Sequence, residues 1–247
     1  MKKRVLIISL SIVIFLTAYL FAVHYIIYQR IGAAGLKACD ARHEYLLRSV
    51  QNTETNIVYT ALGDSLTAGV GVAEYEESYP YKIAQKLSVA ANVDLYVQAY
   101  PGARTSDVIK DLLTPAISNQ PDIVTLLIGT NDIHGNVSKE KFSKNYAEIL
   151  KRLKTETKAK IYVISIPHIG TDSLLLPPYN FYFRRQVVEF NKIIKKLAQE
   201  NGVEYIDLYA PAVRMFENPS LYSTDYFHPS AKGYELWSDI IYANFNK

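Results

Sequence analysis

The chain has 247 residues, 49% apolar and 21% charged, a balance that excludes a disordered chain and suits one domain with a sizeable core. Its net charge of +3 is a property of the N-terminus. Lys2, Lys3, Arg4 and Arg30 are the only acidic or basic residues in the first thirty, and residues 31–247 carry 23 Lys and Arg against 24 Asp and Glu. The domain therefore lacks the basic surplus of a nucleic-acid binder, and a single cysteine, Cys39, excludes an intrachain disulfide scaffold. The five histidines (His24, His43, His134, His168, His228) are scattered, with no metal-ligand spacing.

Val5 to Val23 is an unbroken run of uncharged, mostly apolar residues, long enough at about 1.5 Å per residue to cross a bilayer core of about 30 Å. The cations Lys2-Lys3-Arg4 precede it, so the positive-inside rule keeps the N-terminus cytoplasmic and puts everything after Tyr28 outside. An uncleaved anchor is the preferred reading. A cleaved signal peptide has a shorter apolar core of about 7–15 residues, and 17–22 makes a poor cleavage site. A lipoprotein box at Leu36-Lys37-Ala38-Cys39 lies too far from the run. The expected division is an anchor over 1–28, a stalk over 29–56 and a catalytic domain over 57–247. Within the stalk, Leu36 to Val50 has helical spacing and residues 51–56 form a polar break.

From Ile57 short apolar runs alternate with helical patterns. Strands are expected at Ile57–Leu62, Val93–Ala99, Ile123–Ile128, Lys160–Ile166 and Val203–Leu208. Helices are expected at Tyr79–Ala90, Ser106–Ile117 with Ser106 as N-cap, Ser138–Lys154, Phe181–Asn201 ending at Gly202, and Ser230–Phe245. Five strands separated by helices predict a three-layer α/β/α sandwich with a five-stranded, mostly parallel sheet. In such sheets functional groups gather beyond the C-terminal ends of the strands.

Four polar groups stand there. Gly63-Asp64-Ser65-Leu66 follows strand one, and its glycine permits a tight strand-to-helix turn presenting Ser65 near a helix N-terminus. Tyr100-Pro101-Gly102 follows strand two, where Gly102 lets backbone approach a ligand. Gly129-Thr130-Asn131-Asp132 follows strand three and offers the Asn131 amide. Asp225-Tyr226-Phe227-His228-Pro229 precedes the last helix, at a spacing that lets the Asp225 carboxylate reach Nδ1 of His228. Singly, each is as well read as an ordinary turn, cap or surface pair. Jointly they supply a hydroxyl nucleophile (Ser65), a base (His228), its orienting acid (Asp225), and oxyanion donors in the N–H groups of Ser65 and Gly102 and the Asn131 amide.

In that order the four blocks resemble the SGNH (GDSL) hydrolase superfamily, over Ile57 to about Asn246. The second block departs from the usual pattern, in which Asn precedes the glycine. The resemblance implies a flavodoxin-like α/β fold and ester hydrolysis through an acyl-enzyme, with neither metal nor cofactor. It implies no choice among lysophospholipids, short acyl esters, thioesters and acetylated carbohydrates. Asp64 is expected to support the Ser65 turn rather than to react. The apolar, Pro-rich segment within 172–183 reads either as an acyl-binding wall or lid, or as a loop packed on the core. With membrane tethering it favours long-chain acyl or lysolipid esters. The 20 tyrosines keep a carbohydrate O-acetylesterase open as the alternative, and a non-catalytic binding module is the third reading. His168 and His134 are expected to be structural rather than substrate contacts.

Overall fold

The structure, a computed structural model, describes residues 2–33, 44–51, 53–168, 170–215 and 218–245. The chain opens with α1 (Lys2–Ala33), of which Lys2–Ile27 is long and apolar enough to cross a membrane. Strand β1 (Glu44–Leu47) follows, then β2 (Asn56–Gly63), α2 (Tyr79–Leu87), β3 (Asn92–Ala99), α3 (Thr105–Asp107), α4 (Leu113–Ser118), β4 (Ile123–Leu127), α5 (Thr130–His134), α6 (Lys139–Glu156), β5 (Lys160–Ile164), α7 (Tyr179–Asn201), β6 (Glu204–Ile206), α8 (Tyr209–Met215) and α9 (Ala231–Tyr242).

The sheet has six strands rather than the expected five, in the order β1-β3-β2-β4-β5-β6. Strands β2 to β6 are parallel, and β1 is antiparallel to β3, with Glu44 opposite Tyr96 and Leu47 opposite Val93. The helical spacing read over Leu36–Val50 is not realised at Glu44–Leu47, because pairing with the free edge of β3 outweighs local propensity. Residues 36–43 of that expected helix, including Cys39, lie outside the described residues.

The parallel strands are buried on both faces, which is why they read as apolar runs. Their side chains alternate between two cores. Val124, Leu126, Ile161 and Val163 join one cluster with α4, α6 and α7, while Tyr59, Ala61, Tyr162 and Ile164 join the other with α2 and α9. On α6 the buried residues Phe142, Tyr146, Ile149, Leu150 and Leu153 recur at helical spacing. Fully burying each such side chain contributes about 1.5–3 kcal/mol. The Ser138 hydroxyl caps α6 by accepting from Lys141 N, and the Ser230 hydroxyl caps α9 by accepting from Gly233 N. α7 stops at Gly202, whose φ of 63° ends the helix in the left-handed region.

Ser106 is not the N-cap of its helix. The cap lies two residues earlier, at Arg104, whose N–H donates to Asp107 Oδ2 at 2.9 Å. The helical stretch beyond contains a π turn at Val108–Leu112.

Candidate active site

The loop after β2 positions Ser65. Instead of entering a helix directly, residues 64–70 fold into overlapping turns: Thr67 and Ala68 N–H donate to Asp64 O (3.1 and 2.9 Å), and Val70 N–H to Ser65 O (2.9 Å). The expected helix N-terminus behind Ser65 is therefore a turn stack, and the next α-helix starts only at Tyr79. Asp64 is fully buried and accepts from Leu66 N at 3.0 Å. Burial pushes its carboxyl up to about 7, against hydrogen bonding that pulls it down. Its geometry suits support of the serine turn.

At the other end of the chain, a tight loop carries Asp225 and His228. Ser223 N–H donates to His228 O at 2.8 Å and Tyr226 N–H to Ser223 O at 3.0 Å, which requires Tyr226 to sit at φ 60°. The loop turns His228 toward Ser65: the Ser65 Oγ to His228 Nε2 distance is 3.0 Å, and His228 Nδ1 to Asp225 Oδ2 is 2.6 Å. Because the carboxylate can only accept, Nδ1 carries the proton and Nε2 accepts from the serine hydroxyl. Asp225 Oδ1 accepts three further bonds, from Phe227 N (2.8 Å), His228 N (2.9 Å) and Ser223 Oγ (2.6 Å). Burial raises the Asp225 carboxyl, but the bonds led by His228 outweigh it and hold the group below its ordinary range.

The loops carrying Gly102 and Asn131 are tied to one another. Asn131 Nδ2 donates to Ala103 O at 3.0 Å, and its approach to Asp64 Oδ2, at 3.5 Å, is at the limit of a hydrogen bond. One amide N–H is thus held by Ala103 and the other only weakly by Asp64. Buried Asp132 accepts from Thr105 N (2.9 Å) and Thr105 Oγ1 (2.6 Å), fastening the start of α3 to α5. Gly102 has φ 86° with open space where a Cβ would be, so backbone conformation rather than crowding calls for glycine. Among the described residues, neither the Ser65 nor the Gly102 N–H is given to a protein acceptor. For Ser65, only 5% exposed, such a donor is suited to an anion.

All five residues singled out in the sequence therefore lie at the C-terminal end of the sheet, and Ser65, His228 and Asp225 form one hydrogen-bonded chain. The set can deprotonate a hydroxyl and stabilise a developing oxyanion. The two other histidines pack rather than join it. His134 stacks on Phe183 (centroids 4.6 Å apart) and meets Phe227 edge-on (5.7 Å). Burial, then the nearby His228, lowers its pKa to about 4, so it is neutral at neutral pH. His168 lies against Tyr209, and burial lowers it likewise to about 4.

The sequence reading passed over Gly71. At φ 105°, a Cβ there would lie 2.4 Å from Pro229 O and 2.9 Å from His228 Cβ. The Ser65 loop and the His228 loop touch at this glycine. Gly71→Ala is expected to push His228 away from Ser65 and lower kcat by about 10²-fold, the scale of a misplacement of about 1 Å. Steady-state kinetics beside a thermal melt check it: a folded variant with parental kcat would show that the contact does not set the geometry.

The GDSL-like lipase/acylhydrolase family model matches residues 61–236, spanning all the positions above. The spore germination lipase LipC of Bacillus licheniformis is 29% identical over 211 residues, covering 75% of this chain and 94% of that protein. Among solved structures, the lipase/acylhydrolase from Enterococcus faecalis superposes with a TM-score of 0.64 at 23% identity, covering 76% of this chain and 94% of the other. The acetylxylan esterase Axe2 of Geobacillus stearothermophilus superposes with a TM-score of 0.59 at 17% identity, covering 78% and 93%.

Proposed function

Because the chain belongs to the GDSL-like lipase/acylhydrolase family and is an ester hydrolase, we propose that it is a membrane-anchored serine esterase acting on lipid-like acyl esters, with Ser65 as nucleophile. The observation that carries the reading is the unbroken chain Ser65 Oγ, His228, Asp225, at 3.0 and 2.6 Å. As Ser65 Oγ attacks the ester carbonyl, His228 Nε2 takes the hydroxyl proton and Asp225 stabilises the imidazolium. The carbonyl oxygen, now an anion, is received by the N–H groups of Ser65 and Gly102 and by Asn131 Nδ2, each worth about 10²–10³ in rate. Collapse expels the alcohol, which takes the proton from His228. Water then attacks the acyl-enzyme with His228 again as base, releasing the carboxylic acid and restoring Ser65.

The anchor reading is supported by α1 with Lys2, Lys3 and Arg4 at its start, and the positive-inside rule favours a catalytic domain on the extracytoplasmic side. The lipid-like substrate is supported by that tether, by the similarity to a spore germination lipase, and by the segment preceding α7. In that segment Leu174 and Leu175 pack into the core, while Phe181 and Tyr182, in the first turn of α7, stay exposed. The buried leucines fit the packed-loop reading, and the exposed rings leave apolar surface for the acyl-binding one.

One observation favours the acetylesterase instead. The small cavity walled by Leu66 and Phe227, the neighbours of Ser65 and His228, with Thr130, Pro167, His168, Tyr222 and Trp237, has a volume of only about 10 Å³. A short acyl group fits such a space more readily than a long one. Assay of the full chain in detergent on p-nitrophenyl esters from acetyl to palmitoyl, lysophosphatidylcholine and acetylated xylan separates the two. Rates rising with acyl length and turnover of the lysolipid are expected. Activity confined to acetyl groups would overturn the lipid reading, and inertness on every ester, with no fluorophosphonate labelling of Ser65, would overturn the esterase.

A further inference from the structure

The outer end of α1 is docked on the domain along one stripe. Tyr19, Val23, Ile27 and Arg30 recur at intervals of four, four and three, which is one helical face. The Tyr19 hydroxyl donates to Pro177 O at 2.9 Å. Val23 and Ile27 are buried in the same apolar cluster as Leu174, Leu175 and Phe227. The Arg30 guanidinium lies 5.0 Å from the centre of the Tyr226 ring, beside Asp225. Off this stripe, Phe21 and Tyr25 remain exposed. The helix therefore grips the two segments that border the catalytic centre, the one before α7 and the one carrying the acid and base.

This docking sets a height. The uncharged residues 5–18 precede the first contact and span about 21 Å of helix, less than a bilayer core of about 30 Å. Tyr19 on Pro177 therefore sits at or just inside the outer boundary between hydrocarbon and water, a level that aromatic residues favour. At that end of α7, Phe181 is 66% and Tyr182 45% exposed, large apolar surface that the fold leaves uncovered. From there a row of rings runs inward: Tyr179 to Phe183 (6.5 Å), Phe183 to His134 (4.6 Å), His134 to Phe227 (5.7 Å) and Phe227 to His228 (4.9 Å).

We propose that α1 and the first turn of α7 form one lipid-facing surface, so that the catalytic mouth lies on the bilayer and takes its ester from the outer leaflet. The inference rests on the anchor reading above. It goes beyond it in fixing the orientation of the domain, which a flexible tether would leave free. The acyl chain then stays in apolar surroundings, along the aromatic row, while its carbonyl reaches Ser65.

The test uses the full chain in phosphatidylcholine vesicles whose acyl chains are brominated near the carbonyl. Tryptophan is introduced as Phe181→Trp, with Tyr182→Trp as a second probe should the first misfold. Val89→Trp is the control, exposed just before β3 and hence at the opposite end of the sheet from the site. Buried Trp237 of the parent chain supplies the background to subtract. The added emission at 181 or 182 is expected to fall by half or more, and that at 89 to stay unchanged. The double variant Val23→Asn, Ile27→Asn undocks the stripe and is expected to relieve the quenching at 181. Absence of quenching at both aromatic positions in chains that resist carbonate extraction overturns the inference alone. Release of the chain by carbonate removes the anchor and the inference together. Quenching in a preparation that hydrolyses no ester upholds the surface and sinks the esterase reading instead.

Discussion

With alanine at position 65, ester hydrolysis is expected to fall by about 10⁶ in kcat, to background. The reason is specific to the hydroxyl. Ser65 Oγ is the only atom set against His228 Nε2, at 3.0 Å, and no other hydroxyl is bonded to that nitrogen among the described residues. The remaining groups still bind the carbonyl and polarise it, so residual turnover measures what the oxyanion donors do without a nucleophile. Stability should change little. The side chain is small, and the loss leaves one buried acceptor on His228 without a partner, a cost of about 1–3 kcal/mol that a water entering the crevice reduces. Steady-state kinetics, fluorophosphonate labelling and a thermal melt on the same sample decide it. A folded alanine variant that still turns over esters at the parental rate would remove Ser65 from the mechanism.

What made this site legible was local chemistry. Gly63 and Gly129 close strands whose apolar runs are plain in the sequence, with Asp64 and Asn131 a residue or two beyond, and Asp225 and His228 stand three apart just before the last helix. Each block was therefore legible from its neighbours in the chain without knowledge of the tertiary structure. The five parallel strands were legible for the same reason: buried on both faces, they are continuous apolar runs.

What escaped is set by partners distant in the chain. Glu44–Leu47 is a strand only because Asn92–Ala99 offers it an edge, and Glu-Tyr-Leu-Leu by itself suits a helix equally well. Gly71 is required by Pro229 and His228, which no spacing near residue 71 reveals. The ties from Asp132 to Thr105 and from Asn131 to Ala103 cross between two loops, each of which alone is an ordinary turn. The cap at Arg104 likewise replaces the expected Ser106 because Asp107 reaches back to the Arg104 N–H, a side-chain bond that composition does not announce.

Asp225→Asn separates orientation from charge, and its expected cost is about 10⁴ in kcat with a nearly unchanged KM. The three donors around Oδ1, Phe227 N, His228 N and Ser223 Oγ, select which end of the asparagine amide faces them. They demand an acceptor, so the amide oxygen turns toward them and the NH₂ group takes the place of Oδ2. That NH₂ donates to His228 Nδ1, which must then be the unprotonated nitrogen. Nε2 consequently carries the proton and cannot accept one from Ser65. The imidazolium also loses its counter-charge. The same substitution has a pH signature in stability. Asp225 is held below its ordinary value of 3.8 in the fold, so its stabilisation is present above that value and is lost as the pH falls through the lower, folded value. The parent should therefore lose stability in acid more steeply than the asparagine variant, and urea melts at neutral pH and below about pH 4 measure the difference. An Asp225→Asn enzyme within about tenfold of the parent in kcat would mean that His228 keeps its tautomer without the carboxylate, and that Asp225 acts only as a brace for its loop.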